Sequence, residues 1–155
     1  MKQQQLPRNA SRRALNHRPK AAPFLCPPTL QPRTAMPHLV IEHSRNLGEF
    51  PFERIVPALN RSVTGSPQIL DEADLKTRVI AHDQFRVGNE GEGRAFVHAQ
   101  LRLMAGRSPE AKKDLAERVA VVLRAELPRP AGLMLQLSVE VVDMDRGSYV
   151  KERLS

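Results

Sequence analysis

The sequence predicts an α/β (α+β) fold: two βαβ units forming a four-stranded mixed sheet with two helices on one face. Three observations carry this expectation. After Met36 the order strand, helix, strand occurs twice. The two repeats are separated by a turn-rich stretch, Gly88-Asn89-Glu90-Gly91-Glu92-Gly93. The 120 residues from Met36 onward suffice for one small domain but not two.

The elements follow in order. Pro37–His43 is short and rich in β-branched residues and reads as a central strand, apolar on both faces. Residues 49–63 place Phe52, Ile55, Val56, Leu59 and Val63 at helical intervals; Pro51 suits a first turn, and Pro57 is expected to kink or break the helix. Leu75–His82 reads as a second strand, with Lys76, Arg78 and Ile80 on one face and Thr77, Val79 and Ala81 on the other. The glycine stretch reads as a hairpin loop. It follows no strand-to-helix turn, and Glu90 and Glu92 would repel a phosphate. Ala95, Val97, Ala99, Leu101 and Leu103 alternate with polar residues and Phe96, as in a long strand with one buried face. Ser108-Pro109-Glu110 supplies a hydroxyl N-cap, a proline at the first helical position and an acid against the dipole. The helix then carries the stripe Ala111, Leu115, Val119, Val122 and Leu123 to Leu127, where Pro128 and Pro130 stop it. Leu133, Leu135, Leu137, Val139 and Val141 alternate in the fourth strand. With both helices on one face, the other face of the sheet needs a cover, most simply another subunit.

The chain is basic, with 24 Lys and Arg against 17 Asp and Glu and a net charge of +7. The surplus is local. Residues 1–35 contain seven basic residues and no acid, which leaves 17 basic against 17 acidic residues from Met36 on. A nucleic-acid-binding domain is therefore not expected. Residues 1–35 also contain six of the 13 prolines and the single cysteine, Cys26. This basic, proline-rich leader lacks hydrophobic periodicity and is expected to be disordered. Three readings are open for it: a transit peptide, whose helix its prolines would break; a nucleic-acid-binding arm, with Phe24 its only aromatic; or a start-site extension ahead of an initiator at Met36. The sequons at Asn9 and Asn60 arise often by chance and imply no secretion. The lone cysteine fits a reducing compartment, and no apolar run approaches the roughly 18 residues of a membrane helix.

The usual catalytic inventory is nearly empty. His38, His43, His82 and His98 show no metal-ligand spacing and read as hydrogen-bonded structural residues. From Met36 onward there is no cysteine to act as a thiol nucleophile, and no Gly-x-Ser-x-Gly elbow occurs. Two features remain. Ala105-Gly106-Arg107-Ser108 brings Arg107 to the amino end of a helix, where an anion is favoured; the plain alternative is an exposed loop arginine. Met36-Pro37 matters if Met36 initiates and is removed, because Pro37 then becomes a secondary amine. Burial and nearby cations such as Lys76 and Arg107 would lower its pKa and leave a free base at neutral pH. An internal Pro37 is an amide and has no such chemistry.

Met36-Pro37-His38-Leu39-Val40-Ile41-Glu42, with Ala95-Phe96-Val97-His98 and Ala105-Gly106-Arg107-Ser108, resembles the 5-carboxymethyl-2-hydroxymuconate isomerase family of the tautomerase superfamily. The resemblance covers most of residues 36–151 and none of the leader. It implies a cytoplasmic homotrimer, active in 4-hydroxyphenylacetate (homoprotocatechuate) breakdown, that uses no metal or organic cofactor and binds neither nucleic acid nor membrane. It implies Pro37 as general base, with Arg107 and Lys76 or Arg78 holding a dicarboxylate or tricarboxylate substrate. Lys76 stands where members usually carry the first arginine of an Arg-Ser-Arg run, and Arg78 matches the second; a lysine keeps the charge but not the bidentate fork. Ser148–Lys151 resembles the closing strand of the family, although the chain ends sooner than is common. The alternative from another class is a non-catalytic trimeric binding member of the same fold with a basic N-terminal arm.

Overall fold

A computed structural model describes residues 36–154. The expectation of a disordered leader over residues 1–35 lies outside the described residues. Six main elements follow one another: β1 (His38–Ser44), α1 (Phe52–Thr64), β2 (Lys76–His82), β3 (Arg94–Met104), α2 (Pro109–Glu126) and β4 (Met134–Met144). The sheet order is β2-β1-β3-β4. β1 runs parallel to β2 and β3 parallel to β4, while the two central strands are antiparallel. This is the expected mixed sheet of two βαβ units.

Alternation decides which face is buried. Leu39 and Ile41 of β1, with Val97, Ala99, Leu101 and Leu103 of β3, are sealed under Ile55, Leu59 and Val63 of α1 and Leu115, Val119 and Leu123 of α2. Among the described residues, the six elements gather around this one core. The opposite face carries polar cross-strand pairs in register: His98 on Ser138 at 2.8 Å and Gln100 on Glu140 at 2.7 Å. No helix among the described residues is long and apolar enough to cross a membrane.

Helix α2 starts as its sequence dictates, the Ser108 hydroxyl accepting from the Ala111 amide at 3.3 Å. Three other readings need correction. Pro57 does not break α1, which runs from Phe52 to Thr64 with Pro57 exposed inside it, while Ile55, Val56, Leu59 and Val63 hold the helix to the sheet. Phe52 is 45% exposed, and it is Phe50 that is buried, with its ring against that of His43. The glycine stretch is not a hairpin between neighbours, since β1 lies between β2 and β3. It contains its own tight turn, bridged from Val87 to Glu90, with Gly88 at φ +68°. A Cβ there would meet the Arg94 guanidinium at 2.7 Å, where Arg94 pairs with Glu90 and donates to the Val87 carbonyl.

The segment after β4 also departs from expectation. A short turn at Arg146–Ser148 leads into residues 149–154, which form no strand in the single chain. Side chains fasten it instead: Lys151 pairs with Asp74, and Arg153 bonds both Asp71 and Asp74, at 2.7 and 2.8 Å. Strand formation needs a neighbouring backbone to supply the ladder, and among the described residues no strand pairs with this segment.

Candidate active site

Pro37 is fully buried at the head of β1, and its carbonyl accepts from the Lys76 amide at 3.1 Å. The parallel register continues directly into His38 opposite Lys76 and Val40 opposite Arg78. Lys76 and Arg78 thus share the face away from the helices, both exposed, as their spacing predicts. Met36 is 3% exposed and borders a cavity of about 350 Å³ with Ala73, Asp74, Lys76 and residues 149–153. Lys76 Nζ donates to the Asp74 carbonyl at 3.2 Å.

Arg107 lies in the loop after β3, where Gly106 at φ +110° makes the turn that a side chain would strain. Its guanidinium donates to the Met104 carbonyl at 2.7 Å and to the Gln68 carbonyl at 3.1 Å. Of the four residues singled out in the sequence, Lys76 borders the same cavity as Met36. Arg78 lies two residues further along β2, and neither it nor Arg107 lines that cavity.

The structure adds residues that spacing did not reveal. His38 Nε2 lies 2.9 Å from the Tyr149 hydroxyl, 111 residues away in sequence. Asp74, with a side chain only 6% exposed, anchors Lys151 and Arg153 beneath the C-terminal segment. Hydrogen bonding from Lys151, followed by that from Arg153, lowers the Asp74 pKa despite burial. The one signal for Tyr149 was its place as the only tyrosine in the chain, within the segment resembling a closing strand. Among the described residues, no three His, Cys, Asp or Glu side chains gather as metal ligands would.

Against known proteins, residues 37–153 match the family described as 5-carboxymethyl-2-hydroxymuconate isomerase. The chain belongs to that family. As a 5-carboxymethyl-2-hydroxymuconate isomerase family member it is an isomerase of the tautomerase superfamily, with the fold that periodicity predicts. A crystal structure of a 5-carboxymethyl-2-hydroxymuconate isomerase from Deinococcus radiodurans R1 is 28% identical, with a TM-score of 0.68, covering 78% of this chain and 92% of that one. A 5-carboxymethyl-2-hydroxymuconate delta-isomerase is 18% identical, with a TM-score of 0.64 and coverage of 79% and 90%. The fused 4-OT wild type asymmetric trimer shares the fold at 15% identity and a TM-score of 0.56, covering 74% of this chain and 91% of that one. No curated protein matches the sequence significantly.

Two predictions arise from this family member's site. Asp74→Ala should cost about 2 kcal/mol, between the values for exposed and dry buried pairs, because Lys151 and Arg153 lose their shared partner while remaining partly hydrated. Urea unfolding at neutral pH measures it, and a cost below about 0.5 kcal/mol would show that the clasp contributes nothing. The second concerns pH. Burial lowers the His38 pKa, helped by Lys76, Arg78 and Arg102, and burial lowers that of His43. Below the ordinary value of 6.5 the unfolded chain takes up protons that the fold resists, so stability should fall between pH 7 and pH 5. His43→Leu should flatten that decline, and an unchanged slope would rule out the buried His43 as its source.

Proposed function

We propose that a chain beginning at Pro37 is a cofactor-independent 5-carboxymethyl-2-hydroxymuconate delta-isomerase, acting in the cytoplasm in 4-hydroxyphenylacetate catabolism. The observation that supports this most is the placement of Pro37. The family match begins there, the residue is buried beside Lys76 in the ladder, and the residue before it borders a cavity that Lys76 also lines.

In this reading the Pro37 nitrogen takes the proton from the 2-hydroxyl of an unsaturated, carboxylated substrate. The O–H bonding pair becomes part of a carbonyl, the double bonds shift along the chain, and the nitrogen returns the proton to carbon. No redox partner is required. Lys76, with Arg107 and Arg78 as the other cations implied for the carboxylates, counters the charge that develops on the dienolate. A homotrimer would cover the polar sheet face that a single chain leaves open; relatives of this fold include the fused 4-OT trimers.

One observation favours a second reading for the longer chain. With Met36 attached and buried, Pro37 is an amide, and the protein is then a non-catalytic trimeric binding member with a basic arm. Intact mass of the natural protein separates the two readings. A species starting at Pro37 that ketonises 2-hydroxymuconate supports the enzyme. The same species inactive, and indistinguishable from its Pro37→Ala form, overturns it.

A further inference from the structure

Met36 stands between two cavities. The first, of about 350 Å³, runs to Lys76 and the Ala73–Asp74 turn; the second, of about 220 Å³, runs to Met104 and Arg146. Met36, Tyr149 and Lys151 border both, so the buried methionine is part of the wall dividing them. Each space alone lies near or below the lower end of ligand pockets, which run from about 300 to 1,000 Å³; joined, they fall within that range.

Their charges differ in how far they are already committed. Lys151 is held by Asp74, and Arg153 by Asp71 and Asp74. Among the described residues, Lys76 Nζ bonds the Asp74 carbonyl and no carboxylate, and Arg146 has no ion pair. Asp145, the acid nearest Arg146 in sequence, is engaged in its own turn, accepting from the Gly147 amide at 3.2 Å. Glu152 also lines the first cavity but is exposed. One cation without a carboxylate partner therefore stands on each side of Met36.

The geometry points to Arg146 as a substrate-binding residue. In a chain beginning at Pro37 the two cavities join, the Pro37 amine lies between them, and a dicarboxylate spans the chamber with one carboxylate on Lys76 and the other on the Arg146 fork. This rests on the reading of Pro37 as a free amine. It gives the turn after β4 a role in specificity: a substrate with a second carboxylate at the far end is held, and one without it leaves Arg146 unanswered.

Calorimetric titration with two six-carbon probes tests this, cis,cis-muconate carrying two carboxylates and sorbate one. The Pro37-start chain should bind muconate at least about tenfold more tightly than sorbate. Arg146→Gln should bring the ratio close to one with little change in thermal midpoint, and Arg146→Lys should restore part of it. A chain retaining Met36 should bind muconate at least about tenfold more weakly. An unchanged ratio in Arg146→Gln, or equal muconate binding with and without Met36, overturns the proposal. Ketonisation that persists alongside an unchanged ratio would leave the catalytic reading standing and remove this one. An Arg146-dependent ratio without ketonisation would do the reverse.

Discussion

A chain that retains Met36 is expected to ketonise 2-hydroxymuconate about 10²–10⁴-fold more slowly than one beginning at Pro37, the range over which a positioned proton-transfer group acts. Two independent effects point the same way. The nitrogen of an internal proline shares its electrons with the preceding carbonyl and is not basic, whereas a free α-amine titrates near about 7.7–8.0 in reference peptides. The Met36 side chain, 3% exposed, also occupies the space beside the cavity that Lys76 lines. Burial at the head of β1 and the charge of Lys76 both disfavour the protonated amine. The Pro37-start chain should therefore gain activity with rising pH through an apparent pKa below that of a reference amine. Pro37→Ala in the same chain leaves a primary amine in place of the cyclic one, so its loss should be smaller than that caused by the amide. Rates of keto-product formation for the three proteins decide the matter. Equal rates with and without Met36 would exclude the Pro37 nitrogen as the base.

The parts of this molecule that sequence reveals are those governed by local repetition. Alternation in Ala95–Leu103 and Leu133–Val141 fixes strand and inward face, with the β3 residues sealed under the helices and the β4 residues half-buried against the same core. Ser108-Pro109-Glu110 fixes a helix start because cap, proline and acid act within one turn. Pro57 misleads because propensity measures the proline alone, while four buried neighbours on the opposite side of α1 outweigh it. The site is less legible because its walls meet only after folding. Lys151 and Asp74 are 77 residues apart, and His38 and Tyr149 are 111 apart, so no period links them. The position of Arg107 follows from its loop, but the direction of its guanidinium, toward two main-chain carbonyls, does not.

Leu101→Ala should be the most damaging of the simple substitutions for the fold, costing about 3–4 kcal/mol. Leu101 is completely buried in β3, paired across the ladder with Leu39 of β1 and Val141 of β4, beneath the helical layer. Partners on both sides are fixed by backbone hydrogen bonds, so the sheet has little freedom to collapse into the space left behind, and the cavity term adds to the lost transfer energy. A domain of this size has about 5–15 kcal/mol to lose, which makes the change a large fraction of its stability and lowers the thermal midpoint by roughly 10 °C or more. The neighbouring substitution Arg102→Ala provides the contrast. Its side chain lies on the open face and donates to the Gln100 side chain at 2.7 Å, an exposed contact worth no more than about 0.5–1 kcal/mol. Paired urea melts of the two variants separate a sheet buried on one face from one whose helices only rest against it. A Leu101→Ala cost below about 1 kcal/mol, or one matching Arg102→Ala, would mean that the helical layer does not seal the face that alternation assigns to it.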